Sequence, residues 1–183
     1  PGPSNRLDRN TSGLVMLAKD YQSQKALNKM IKERRVGKYY LALVKGQLEL
    51  EEEELRGFLY KDNKNNQVQI LRQRKKGSDP IHTRYKVIDR GEDSTLLQVE
   101  LITGKSHQIR AHLASIGHPI IGDPKYGDRA INQSYRDEWG LKRQFLHAYK
   151  LIFDNPIEPL DYLTDCEFEG ELPSVLQKIV NKM

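Results

Sequence analysis

Asp8 is bracketed by Arg6 and Arg9 in the stretch Asn5-Arg6-Leu7-Asp8-Arg9-Asn10-Thr11-Ser12-Gly13. Positive charge on both sides favours the ionised form of a carboxylate, and an ionised carboxylate kept among cations can act as a nucleophile. Thr11, Ser12 and Gly13 add hydroxyl and backbone donors able to fix the loop or meet a phosphate. The plainer reading makes Asp8 a turn acid paired with Arg9, because structural ion pairs also gather charge. A second stretch, Leu101-Ile102-Thr103-Gly104-Lys105-Ser106-His107-Gln108-Ile109-Arg110-Ala111-His112-Leu113, passes from a strand through a glycine turn into a helix. The first N–H groups of that helix, with Lys105, can receive an anion. Arg110, four residues after Ser106, can reach a carboxylate at the end of a sheet and grip it in bidentate fashion. The alternative is an ordinary surface helix carrying a few His and Arg side chains.

Spacing excludes several other chemistries. Neither G-x-G-x-x-G nor G-x-x-x-x-G-K-[ST] occurs, so a dinucleotide fold and a P-loop are unsupported. His107 and His112 are five apart rather than four, with no Glu after the first, which excludes the zincin pattern. Ser12 lacks the G-x-S-x-G elbow. The single cysteine, Cys166, leaves no disulfide framework and no multi-cysteine metal site, and it is expected as a small packed apolar residue. No run approaches the ~18 apolar residues of a membrane span, so a cytoplasmic protein without a membrane partner is expected.

Charge in the 183-residue chain is segregated as well as positive overall. Thirty Lys and Arg against twenty-five Asp and Glu give a net charge of +5. Basic residues crowd the first 48 positions and the Arg72, Arg74, Lys75, Lys76 cluster, whereas Glu49 to Glu54 holds five glutamates and the tail beyond Asn155 is acid-rich. One positive face for a polyanion and an acidic far side would give this pattern, and so would ordinary solvated surfaces.

The elements that must position these residues follow from periodicity. Leu14–Ala18 is expected as a short buried strand. Asp20 is a suitable N-cap for a helix through Arg35, with Gly37 ending it. Tyr39–Val44 is apolar at both alternations and is expected as a central strand. Strands are also expected over 67–74, 83–89 and 94–102, the last two joined by a hairpin at Gly91-Glu92-Asp93. A helix is expected from Ser106 to Ser115, ended by Gly117. A punctuated loop follows over 118–124, then a last strand over 146–153 and a closing helix from Ser174 behind Pro173. Hairpin-joined strands with occasional helices predict an α+β domain.

Taken together, these stretches resemble the RluA-class pseudouridine synthases. Residues 6–13 are similar to that family's R-L-D-x-x-T-S-G. Lys38-Tyr39-Tyr40-Leu41-Ala42-Leu43-Val44-Lys45-Gly46 is similar to K-x-Y-x-A-x-V-x-G. Residues 103–113, with Gly117-His118-Pro119-Ile120-Ile121-Gly122-Asp123 and Tyr126-Gly127, are similar to T-G-R-x-H-Q-I-R-x-H-L and G-H-P-I-x-G-D-x-x-Y-G. Asn5 stands where most members carry His, and Lys105 where most carry Arg, which keeps the charge but loses the guanidinium fork.

The resemblance implies a curved, mainly antiparallel mixed sheet with flanking helices and a central cleft. It also implies isomerisation of uridine to pseudouridine in RNA, with neither cofactor nor metal. Asp8 would be the catalytic carboxylate, acting by covalent attack or through a glycal intermediate. Tyr40 would be catalytic as well, lying against the uracil and able to act in the final proton removal from C5, while Tyr39 alternates to the other face of the strand. Arg110 would bind Asp8. Arg6 would help fill the space left by the flipped base. Arg9, Thr11, Lys105, His107 and Gln108 would complete the substrate contacts, aided by Lys25, Lys29 and Lys32. Large-subunit ribosomal RNA is the expected partner, with transfer RNA as another substrate class, and the chain is expected to be a monomer. Residues 1–4 are expected as linker or expression scar and 5–183 as the catalytic domain, lacking the N-terminal RNA-binding domain and first strand common in the family and therefore binding RNA weakly. Two other classes fit parts of the pattern: a non-catalytic RNA-binding or ribosome-assembly module, and an Asp-dependent glycosidase, which needs a second carboxylate as acid.

Overall fold

The computed structural model describes residues 2–62 and 67–183. Its organising element is β2 (Val36–Lys45), in which Tyr40, Ala42, Leu43 and Val44 are all buried. Apolar side chains on both faces require cover on both faces, and this places β2 in the interior of the sheet. It pairs antiparallel with β6 (Ser94–Leu101) on one side and β7 (Leu146–Phe153) on the other. The sheet continues through β5 (Ser78–Arg90), β3 (Glu52–Asp62) and β4 (Gln67–Leu71), and ends at the other edge with β1 (Ser12–Gly13) beside β7. A short β8 (Glu167–Glu169) also pairs with β7. Among the described residues all eight strands form one sheet, in which only the β1–β7 pair is parallel.

Three apolar clusters cover the sheet. Ile109 and Leu113 of α2 (Gln108–Ser115) pack on Tyr40, Ala42, Val44, Leu97 and Val99. Ile131 of α3 (Arg129–Trp139), with Leu176 and Ile179 of α4 (Ser174–Val180), packs with Leu43, Leu96 and Phe145 on the other face. Ala26, Leu27 and Met30 of α1 (Tyr21–Lys32) cover Val36, Leu151 and Phe153. In β7 the register slips so that Tyr39 faces Lys150 while Tyr40 faces Ala148. The extra residue, Tyr149, inverts the alternation of the strand, so Leu151 and Phe153 serve the α1 cluster while Leu146 and Ala148 serve the α2 cluster.

The α+β architecture agrees with the sequence reading, and several elements differ from it. Residues 14–18 form no regular strand: only Leu17 makes a bridge, to Pro3, while Val15 and Leu17 are exposed and Met16 and Ala18 buried. Helix α1 stops at Lys32 and not at Arg35, and Gly37 lies inside β2. Arg34 takes the left-handed conformation instead (φ 61°), and Arg34 and Arg35 donate back to Ile31 and Met30. Those two bonds close the helix without glycine. Helix α2 starts at Gln108 rather than Ser106, because His107 is itself left-handed (φ 59°). Gly117 ends it as expected, at φ 89°. The glutamate run, read as a solvated stretch, is the start of β3, where Glu52 faces Lys86 and Glu54 faces Arg84 across the sheet. Helix α3 and strand β8 had no counterpart in the sequence reading. Cys166 is half-buried.

His112 on α2 is buried with Nδ1 3.0 Å from the Thr83 hydroxyl. Burial first, then the neighbouring His82, lowers its pKa from 6.5 to about 4. The unfolded chain binds this proton near 6.5 and the folded chain does not, so stability falls as pH drops from about 6.5 towards 4. Denaturant unfolding should show His112→Asn losing less stability than the native chain over that window, by up to about 3 kcal/mol. Parallel pH profiles would show that His112 is not the titrating group.

Candidate active site

Asp8 lies on the loop leading into β1, and several independent contacts fix that loop. The Thr11 N–H donates to the Asp8 carbonyl at 3.0 Å, and Asn10 between them is left-handed (φ 69°). Leu7 packs on the α2 cluster. The buried Gln144 donates its amide to the Arg9 carbonyl (2.7 Å) and the Thr11 hydroxyl (3.2 Å). Ser12 hydrogen-bonds His147 Nδ1 at 2.8 Å. Gly13 sits at φ 120°, and a Cβ there would lie 2.1 Å from the Ala148 carbonyl oxygen. Only glycine lets β1 approach β7 this closely. Asn5 accepts the Met16 N–H at 2.8 Å, which fixes the start of the same segment.

The start of α2 meets this loop. The His107 N–H points at Asp8 Oδ1 from 3.4 Å, an orientation that its left-handed backbone provides. Arg110 Nη1 lies 3.6 Å from Asp8 Oδ2. The bidentate grip expected between Arg110 and Asp8 goes instead to Asp123: Nε donates to Oδ2 at 2.7 Å and Nη2 to Oδ1 at 2.9 Å. Both partners are buried, Asp123 at 0% exposure and Arg110 at 5%. Burial opposes ionisation of Asp123, but the Arg110 bonds and the Lys125 and Tyr126 N–H groups outweigh it and hold the carboxyl below the usual range. Arg110 also stacks over Tyr126, 5.2 Å from the ring centre, and the Tyr126 hydroxyl meets His107 Nδ1 at 3.0 Å. His107 is pushed down from its ordinary value, mainly by burial and then by Arg110.

Between the end of α1 and the start of α2 opens a cavity of about 540 Å³, within the range of small-molecule sites. Asp8, at 19% exposure, is the single carboxylate among its described lining residues. Tyr40 also lines the cavity, and burial, reinforced by the charge of Asp8, pushes its hydroxyl up to about 12, so the phenol is neutral. Tyr39 is not among the lining residues, as strand alternation requires.

The expected contact residues separate into three groups. Arg6, Thr11, Lys105 and Gln108 line the cavity. Arg9 and His107 do not, and Arg110 acts from behind it. Gln108 is committed to the protein: its amide donates to the His82 carbonyl and the Thr83 hydroxyl, and its oxygen accepts from the Lys105 N–H and Thr103. Lys105 pairs with Asp79 at 3.1 Å. Of the α1 lysines only Lys32 reaches the rim. Sequence reasoning gave no role to Asp123, Tyr126, Gln144 or His147. The first two stood inside the quoted pattern, but nothing local showed which cation Asp123 would hold, and the other two carry no local signal.

Breaking a buried ion pair from one side costs about 3–5 kcal/mol, whereas an exposed pair contributes up to about 1. Asp123→Asn is therefore expected to lower unfolding stability by about 3 kcal/mol and Glu167→Gln, on an exposed pair with Lys150, by less than about 1. Gly13→Ala should cost about 3 kcal/mol or more through clash and backbone strain. Denaturant titration of the three variants checks this, and equal losses for Asp123→Asn and Glu167→Gln would remove the special status of the buried pair.

Residues 1–115 match the family described as RNA pseudouridylate synthase. Ribosomal large subunit pseudouridine synthase C of Haemophilus influenzae is 34% identical over 175 residues, covering 96% of this chain and 54% of that protein. The protein of that name from Salmonella typhi is 39% identical over 153 residues, covering 83% and 48%. The chain thus spans about half the length of these curated relatives. Human RNA pseudouridylate synthase domain containing 1 superposes with a TM-score of 0.70 at 25% identity, over 98% of this chain and 78% of that one. Human RNA pseudouridylate synthase domain containing 4 gives 0.79 at 22% identity, over 98% and 74%, a likeness of fold. The match over residues 1–115, with 34% identity to a curated relative over 96% of the chain, places the protein in the RNA pseudouridylate synthase family.

Proposed function

We propose that this domain isomerises uridine to pseudouridine in RNA, with large-subunit ribosomal RNA as its substrate class and Asp8 as the reacting carboxylate. The names of the relatives support the substrate class. The observation that carries the role of Asp8 is its setting: a carboxylate in a cavity otherwise rich in cations, oriented from behind by Arg110 and by the His107 N–H.

The reaction breaks the C1′–N1 bond, turns the uracil and joins C5 to C1′; C5 then loses a proton and N1 gains one. Nothing is oxidised or hydrolysed overall. Asp8 acts at the ribose, by attack on C1′ or by removing the 2′ proton to give a glycal. Either route needs an oxygen aimed into the cavity, and Arg110 with His107 hold the carboxylate for that. A stacked uridine cannot present C1′, so the nucleotide is flipped out at a cost of a few kcal/mol. Arg6 at the rim occupies the vacated space, and phosphate contacts offset the cost by releasing counterions. Tyr40 packs against the uracil and orients it; as a neutral phenol it can take the C5 proton only while passing its own onward. Asp123 is a positioning residue that acts through Arg110. Its burial and bidentate pairing also leave no second carboxylate free to serve as the acid of a glycosidase among the described lining residues.

Tritium release from RNA carrying [5-³H]uridine tests the proposal. Asp8→Asn should lose at least about 1000-fold in release while still binding RNA, and no free uracil should form with the native chain. Tyr40→Phe and Arg110→Ala should reduce turnover more than affinity. Release that survives Asp8→Asn undiminished would remove Asp8 as catalyst, and binding without any release by the native chain would favour a non-catalytic RNA-binding module.

A further inference from the structure

Lys38 lies on β2 two residues before Tyr40, so both side chains leave the same face of the strand. It lines the same cavity as Asp8 and Tyr40. Its ammonium rests against Gly104, where an added Cβ would come within 3.3 Å of Nζ. Two cations near it are neutralised within the protein, Lys105 by Asp79 and Arg110 by Asp123. Lys38 is half-buried and makes no ion pair among the described residues. Burial accordingly lowers its pKa, with no opposing carboxylate. A cation withdrawn from water without a counter-charge is unfavourable until an anion arrives. With Lys32, Arg34 and Arg6 along the same rim, the missing group is an anion.

We propose that Lys38 Nζ is a binding site for a backbone phosphate of the nucleotide whose base lies on Tyr40. This rests on reading the cavity as the RNA site. Cα atoms two apart on a strand are about 6.7 Å apart, a spacing that lets one nucleotide place its base on the tyrosine and its phosphate on the lysine. Lys38 would then fix how far the nucleotide enters, and so where C1′ stands relative to Asp8.

The test compares native chain, Lys38→Met, Lys38→Arg and, as a control on the opposite face of the sheet, Lys178→Met. RNA binding is measured across a salt series, alongside tritium release and thermal unfolding. Lys38→Met should weaken binding about tenfold and reduce the slope of log affinity against log salt by about 0.7. Lys38→Arg should recover most of both, and Lys178→Met should change neither. A merely structural lysine would lower the unfolding temperature when replaced, whereas an unpaired ammonium exchanged for methionine should leave it level or raise it. Inorganic phosphate, titrated at constant ionic strength, should compete for RNA with the native chain and not with Lys38→Met. Native affinity and salt slope in Lys38→Met would overturn the phosphate site while leaving the isomerase reading intact. A lost slope in Lys38→Met, in a native chain that releases no tritium, would support the phosphate site and overturn the isomerase reading instead.

Discussion

One buried guanidinium sets the geometry of the candidate site. Arg110 is withdrawn from water and would be untenable without a counter-charge, which Asp123 supplies through two short bonds. That pairing uses Nε and Nη2 and leaves Nη1 facing Asp8 from 3.6 Å. The desolvation cost of such a pair makes it a poor source of net stability, and its value lies in position. The guanidinium cannot rotate without breaking both bonds to Asp123, so Asp8 meets a fixed positive charge. Two carboxylates and one guanidinium sum to a net charge of −1, and the residual negative charge belongs to Asp8, the one of the two that lines the cavity.

The backbone around Asp8 is correspondingly constrained. Asn10, two residues on, and His107, whose N–H points at the carboxylate, both adopt left-handed conformations without being glycine. Such conformations cost on the order of 1 kcal/mol or more each and persist only where the surroundings over-determine them. Here the surroundings do so: Gln144 holds the Arg9 carbonyl, His147 holds Ser12, Gly13 sits against the Ala148 carbonyl, and Tyr126 holds the His107 ring. Three of these anchors come from β7 or the residue pair just before it, more than 130 positions away in sequence. The parallel β1–β7 contact is only two residues long, yet it ties the Asp8 loop to the sheet.

This long reach explains what could and could not be read from the sequence. Strands β2 and β6 and helices α1 and α2 were legible because burial patterning is local. Strand β3 was not, since its glutamates look solvated until Lys86 and Arg84 are seen opposite them on β5. Helix α3 escaped the sequence reading although Ile131, Tyr135 and Trp139 recur four apart on the side that packs into the core, because that stripe is one residue wide among polar positions. In the site, Asp8, Tyr40 and Arg110 stood out through residue type and motif. The partner of Arg110 did not: Asp8 and Asp123 are equally good carboxylates on paper, and only the fold shows that the buried one takes the bidentate grip. Gln108 failed in the opposite direction, since a polar residue in a promising motif is spent on the protein itself, its oxygen holding the turn at Thr103 and Lys105 and its amide tied to His82 and Thr83 of β5.

Under the proposed reading the site has to solve a conflict, because an anionic catalyst must work beside an anionic substrate. Two unit charges of like sign about 7 Å apart repel by about 2 kcal/mol at an effective dielectric constant of 20, enough to reduce occupancy more than tenfold. Spreading cations evenly would not resolve this, since a cation able to pair with Asp8 on the cavity side would block its approach to the ribose. The structure separates the two tasks. Arg110 meets Asp8 from the protein side and leaves its cavity side open, while Lys38, Arg6, Lys32 and Arg34 lie around the cavity where a backbone can pass. The ribose, the one uncharged linker between base and phosphate, is then the part of a nucleotide that can stand next to Asp8 without charge repulsion, and it carries the bond that must break.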